Sequence, residues 1–259
     1  MLILLPPSEG KAAPRRGHSL RPEDLSFPEL YAARAGLLDA LTTLCAGDPV
    51  VAAGTLGLGS TQADEVGRNA ALRDAPTARA DAVYSGVLYE ALDVVSLDAA
   101  ARRRANRWLA VTSSLFGLVR PADRIPAYRL AGGVSLPGTG PVATYWSRHL
   151  DAAVRQAAGR GLVVDLRSST YVPFWRPGPD MAPRVVTVRV LHEVDGVRKV
   201  VSHFNKATKG RLVRALLEDG TAPSTPARFA DHLAALGWKT ELGAPGRSGT
   251  RLDVVVTDL

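Results

Sequence analysis

The sequence contains one cysteine, Cys45, so no disulfide can form within the chain. Cys45 falls on the apolar stripe of an expected helix and reads as a core residue. Five histidines are scattered, and none stands at ligand spacing to a second histidine or a cysteine. Iron or zinc held by the protein itself is therefore not expected, and neither is a cofactor. Long apolar runs are missing as well. The opening MLILL is too short to span a bilayer and lacks the basic flank and cleavage site of a signal peptide, so it is expected to belong to the fold of a cytoplasmic protein with no membrane partner. The glycine-rich stretch GTLGLGST (54–61) lacks the lysine of a Walker loop and the spacing of a dinucleotide fingerprint. Its Ser60 reads instead as a helix N-cap followed by acids in the first turn. No repeat or low-complexity tract appears.

What is present suits one globular domain spanning 1–259: of 259 residues, 46% are hydrophobic and 22% charged. Lysine and arginine number 32 against 25 acids, a formal net charge of +7. That surplus favours an anionic partner, although arginine-rich usage of this kind also follows from a GC-rich genome.

MLILL predicts a short buried strand, which Pro6 and Pro7 terminate because neither can donate to a ladder. The chain then presents Ser8, Glu9, Gly10 and Lys11 together, the kind of loop in which α/β proteins keep ligands. An irregular Pro- and charge-rich connector follows, and then an amphipathic helix from Leu30 to about Gly47. A helical pattern runs from Leu88 to Arg107, and WLAVT begins a strand–turn–strand unit. TYWSRHLDAAVRQAAGRG predicts one helix with His149 bordering its apolar stripe. GLVVDLRSSTYV repeats the opening theme, an apolar strand running into Asp165, Arg167, Ser169 and Tyr171. Two alternating strands joined at Asp195-Gly196 predict a hairpin. NKATKGRLVRALLEDG predicts a helix capped by Asn205, with Lys206, Lys209, Arg211 and Arg214 along it; cations in its first turns oppose the helix dipole, and a bound anion would relieve them. A last helix (Pro226 to Leu236) and two closing strands complete an α/β (α+β) fold, a mixed β-sheet with surrounding helices.

In order along the chain, LPPSEGK, YSGVLY, SSLFGLVRPADRIPAYRL, TYWSRHL, VVDLRSSTYV and SHFNKATKGRLVRAL resemble the YaaA family of bacterial peroxide-stress proteins. The resemblance covers nearly the whole chain and is most specific from Leu115 to Leu130. It implies a cytosolic protein that protects against hydrogen peroxide by limiting free iron, and with it oxidative DNA damage. It further implies DNA binding, an α/β fold around a positively charged cleft, and a helix-hairpin-helix-like element for which LFGLVRP is the candidate. Two departures stand out: PPSEGK replaces a shorter Ser-Pro-Ala-Lys pattern, and Arg167-Ser168-Ser169 replaces an Ala-Ser-Asp type of stretch.

Two uses of the same residues stay open. For DNA, Lys11, Arg120, Arg129, Lys206, Lys209 and Arg211 would neutralise phosphates without reading sequence, and Tyr128, Tyr145, Trp146 and Tyr171 would stack on bases or pack in the core. For an enzyme acting on a nucleotide or another phosphorylated small molecule, the acids Glu9, Asp123 and Asp165 gain a purpose. Ser8, Ser169 and Tyr171 would then contact substrate or carry protons. Alternatively, Asp123 and Asp165 pair with neighbouring arginines and, with Tyr128, shape the cleft. Lys11, Arg129, Asp165 and Lys206 are expected to share one cleft.

Overall fold

The computed structural model describes residues 1–199 and 202–257, the side chains of residues 202–204 excepted. The strands are β1 (Leu2–Leu5), β2 (Ala78–Arg79), β3 (Leu109–Ser113), β4 (Gly117–Val119), β5 (Arg124–Ile125), β6 (Ser135–Leu136), β7 (Gly140–Pro141), β8 (Val163–Asp165), β9 (Val185–Val194), β10 (Val197–Lys199), β11 (Lys239–Gly246) and β12 (Gly249–Val256). The helices are α1 (Tyr31–Ala46), α2 (Pro49–Leu56), α3 (Asp64–Ala70), α4 (Ala80–Val83), α5 (Val87–Leu92), α6 (Ala99–Trp108), α7 (Val142–Ser147), α8 (Leu150–Ala158), α9 (Ser202–Asp219) and α10 (Pro226–Ala235).

The main sheet has the order β11-β12-β9-β8-β1-β3-β4, with β10 paired to β9. From β12 through β3 the neighbours run parallel, while β4 and β11 close the two edges antiparallel. The α/β class with a mixed sheet is thus as the sequence predicts. Parallel strands are covered on both faces, and their sequences show it: LILL of β1 and LAVTS of β3 are buried at every position. β1 lies between β3 and β8, so the chain leaves the middle of the sheet to one side and later returns on the other. In open α/β sheets ligands bind outside the carboxyl ends of the strands at such a reversal.

Local signals explain most elements. Ala33, Leu37, Leu38, Leu41 and Cys45 form the buried stripe of α1. The β9–β10 turn has Asp195 at φ 51° and Gly196 at φ 76°, the left-handed pair that a two-residue hairpin requires; the expected continuation of β10 through 200–201 lies outside the described residues. Other expectations are corrected. The segment 88–107 is two helices, broken where Asp93 takes φ 41°. The helix expected from TYWSRHL onward breaks at Arg148 and His149, whose N–H groups turn back to Tyr145 and Trp146. Ser60 lies in a single 3-10 turn capped at Gly59, and α3 begins at Asp64. Asn205 is no N-cap, because α9 is already helical from Ser202. Lys206 and Lys209 therefore sit beyond the first turn, where the dipole has faded, and the argument for an anion at that terminus lapses. Finally, LFGLVRP forms the turn and second strand of the β3–β4 hairpin.

Candidate functional site at the carboxyl ends of the central strands

The register places the three polar segments side by side. Leu4 is level with Ala110 of β3 and Asp165 of β8, and Ser113 lies two residues beyond Val111, the partner of Leu5. The loops after β1, β3 and β8 therefore emerge together.

The loop after β1 is stitched to the segment before α5. Ser8 Oγ donates to Gly10 O (2.6 Å) and accepts from Ser85 N (3.1 Å), Ala12 N donates to Val83 O, and Lys11 forms an isolated bridge with Tyr84. Tyr89 Oη donates to Pro6 O at 2.7 Å, using a carbonyl at the end of the ladder. This stitching folds the Lys11 side chain inward. Its Nζ donates to Ser8 O (2.9 Å) and stands 4.1 Å from the Tyr128 ring centroid and 5.7 Å from that of Tyr84. Beneath it, Tyr128 Oη shares hydrogen bonds with Ser113 Oγ (2.8 Å) and Tyr84 Oη (3.1 Å). Burial pushes the Lys11 ammonium down to about 8; Arg129 adds to the depression, while Glu9 and Glu65 oppose it. Burial also raises the phenols of Tyr84, Tyr89, Tyr128 and Tyr171, so all four stay protonated near neutrality.

Arg129 reaches the same loop, its Nη1 donating to Glu9 O (3.1 Å) and lying 3.4 Å from the Glu9 carboxylate. Its backbone is fixed by Asn69, a buried residue of α3 that the sequence reading missed. A lone asparagine on a helix carries no pattern that would have flagged it.

The loop after β8 is held from within. Asp165 accepts from Arg167 N and Nε at one oxygen and from Nη2 at the other, and Arg167 also donates to Tyr171 O and Trp175 O. Both residues are about 5% exposed, so this pair sets the course of the loop, leaving the Asp165 oxygens committed. Lys209 arrives from α9 and donates to Leu166 O at 2.9 Å; burial brings its ammonium to about 8, against the pull of Asp165. Tyr171 is buried against Gly132, where an added Cβ would come within 2.9 Å of the ring. Ser169 is exposed.

Two expected residues, Arg120 and Asp123, do not join this site. Because β4 runs antiparallel to β3, it carries the chain back to the opposite end of the strands, where Arg120 Nη1 donates to Arg107 O and Leu109 O. Asp123 is there too, accepting from Ser26 N, Ser26 Oγ and Arg120 N. That end is a full strand away, about 13 Å or more. Arg120 and Asp123 thus order the opposite pole, and Arg120 faces main-chain carbonyls and the Phe27 ring instead of the loops after β1, β3 and β8. Lys206 and Arg211 are exposed on α9.

Two cavities lie elsewhere. A groove of about 630 Å³ runs beside Pro183, Pro226, Leu242 and Pro245, with Arg247 as its one charged lining residue, and a second of about 730 Å³ lies at the pole of Asp123 and Arg124. Neither gathers an amine, hydroxyls and phenols at strand ends, so the Lys11 cluster is the chemical candidate. Among the described residues no helix is long and apolar enough to cross a membrane.

Residues 1–239 match the family model described as "Peroxide stress protein YaaA". Over their full lengths, the chain and a "UPF0246 protein" of Streptomyces coelicolor are 51% identical. A second protein of that description, from Corynebacterium efficiens, is 42% identical over 98% of this chain and 100% of its own. An "Uncharacterized protein" of Campylobacter jejuni is 30% identical over 55% of this chain and 54% of its own.

Proposed function

The chain belongs to the peroxide stress protein YaaA family, and from that premise we propose that it serves the peroxide response through the cleft at the ends of β1, β3 and β8, which binds and acts on a nucleotide or other phosphorylated small molecule. The observation that carries this reading is Lys11, a half-buried amine held over an aromatic ring at the switch point of an α/β sheet. Lys11 and Arg129 receive the anion. The hydroxyl of Ser8 in the loop after β1 and that of Ser85 in the segment stitched to it lie beside them to bind or move protons. Such a site works in the cytoplasm, where nucleotides are.

The test is a thermal-shift and calorimetric screen of nucleotides and sugar phosphates against the wild-type chain and Lys11→Met. A ligand that raises Tm in the first and not in the second is the expected result. If no phosphorylated compound binds at millimolar concentration, the reading falls.

A second reading is sequence-indifferent DNA binding that limits iron-mediated damage, favoured by the net charge of +7 and by Lys206 and Arg211 exposed on one helix. Titration of a labelled duplex across a salt series tests it, with a Lys206→Ala, Arg211→Ala double variant. Each lost phosphate contact reduces the salt slope by about one unit. No binding at moderate salt, or an unchanged slope, removes this reading.

A further inference from the structure

We propose that Lys11 captures a carbonyl compound, an aldehyde or ketone that carries an anionic group, as a covalent imine in the cleft. The inference rests on the cleft reading above and adds a chemistry to it.

The first support is what surrounds the amine. Among the described residues no carboxylate comes within ion-pair distance of Lys11 Nζ, and the nearest acid in sequence, Glu9, is drawn to Arg129 instead. A structural lysine in a protein interior is ordinarily anchored by a carboxylate, because an unpaired buried charge is costly. The hydrogen bond to Ser8 O makes no such demand. A neutral amine still donates to a carbonyl, more weakly than an ammonium does, and its lone pair then stays free.

The second support is the division of labour around it. Arg129 is partly exposed beside the loop and offers a permanent cation to an anionic substituent, while Lys11 offers the nucleophile. The charged and titratable groups facing Lys11 are Glu9 on its own loop, Glu65 of α3, Arg129, and the phenols of Tyr84 and Tyr128. With its ammonium near 8, Lys11 holds roughly a hundredfold or more neutral amine at pH 7 than an ordinary lysine. Lys209 shares the depressed value but is more deeply buried and faces Asp165, which makes it an internal control.

The step balances without a redox partner. The nitrogen lone pair attacks the carbonyl carbon, the C=O π pair moves to oxygen, and a proton passes from nitrogen to that oxygen to give a carbinolamine. Loss of the hydroxyl as water forms the C=N bond.

The full chain is incubated with pyridoxal 5′-phosphate, reduced with borohydride, digested and mapped by mass spectrometry. Pyridoxal without phosphate serves as the comparison, and inorganic phosphate as competitor. The expected result at pH 7 is occupancy of Lys11 about tenfold above that of exposed Lys206 and of Lys209. It weakens without the phosphate group, and its rate rises with a midpoint near pH 8. Glu9→Gln moves that midpoint lower, since Glu9 favours the ammonium, an effect a purely structural lysine would not give. Lys11→Arg abolishes the adduct, and the wild-type map decides the matter by itself if that variant does not fold. Labelling that simply follows exposure overturns the proposal. So does calorimetric binding of pyridoxal phosphate or of inorganic phosphate at Arg129 with no adduct on Lys11, which leaves the cleft reading standing. Absence of both binding and adduct removes both.

Discussion

The side-chain amide of Asn69 grips both main-chain groups of Arg129: Oδ1 accepts from its N–H at 2.9 Å, and Nδ2 donates to its C=O at 2.7 Å. One helical residue thereby does what a neighbouring strand would do, and it aims the Arg129 side chain at the loop after β1. Asn69 is fully buried, so removing its amide strands two main-chain groups without water. Asn69→Leu is expected to cost about 2–4 kcal/mol in urea unfolding. Ligands received by Arg129 should weaken in parallel. A loss of stability with affinity unchanged would show that Asn69 supports the fold but not the cleft.

Asp165 and Arg167 form a two-pronged buried pair whose spare donors hold Tyr171 O and Trp175 O. Removing one partner leaves the other charge without compensation. Asp165→Asn should cost about 3–5 kcal/mol, and a double-mutant cycle with Arg167→Met should show strong coupling. If Asp165→Asn instead folds normally and loses only turnover, the carboxylate belongs to the chemistry and not to the scaffold.

α9 approaches α5 so closely at Gly210 that an added Cβ would lie 2.3 Å from Leu88 O and 2.8 Å from Ala91 Cβ. Alanine is the better helix former by about 1 kcal/mol, which would stabilise an exposed site. Here a backbone carbonyl must move, so Gly210→Ala is expected to destabilise by a net ~1–3 kcal/mol. Thermal unfolding decides the sign. Because α9 also carries Lys209 to Leu166 O, the same change should loosen the loop after β8, visible as faster amide exchange at 166–171.

What could be read in the sequence follows from how local each signal is. MLILL before two prolines, the stripe of α1, and Asp195-Gly196 each settle their structure within a few residues. The helix breaks at Asp93 and at Arg148–His149 were missed because no proline or glycine marks them; tertiary packing bends the chain there. The site divides the same way. Ser8, Lys11, Asp165 and Tyr171 could be grouped because each lies at the end of an apolar strand or in the loop that leaves it. In the sequence Arg120 and Arg129 flank one turn, yet β4 delivers Arg120 to one pole of the sheet and the stretch after it brings Tyr128 back to Ser113 at the other. Whether Asp165 was reactive or structural turned on a partner two residues away, an alternative the residues alone left open.

Stability should depend on pH in a way that reports the two amines. Lys11 and Lys209 have folded-state values near 8, below the 10.5 of an unfolded lysine. Between those limits the unfolded chain binds more protons than the folded one, so stability rises with pH from about 8 upward. Below about 8 both amines are charged in either state, and the cost of burying them is fully present. Each contributes on the order of 1–3 kcal/mol to the rise, the smaller figure for the more accessible Lys11. The tyrosines act with the opposite sign: their raised folded values mean that the unfolded chain loses phenolic protons first above about 10, and stability falls there. A maximum near pH 9–10 is therefore expected in denaturant titrations at fixed salt. Lys209→Met, which keeps the aliphatic stem and removes the buried charge, should flatten the rise below the maximum and leave the fall above it. A rise of unchanged height in that variant would mean that Lys209 keeps an ordinary, solvated ammonium in the folded chain.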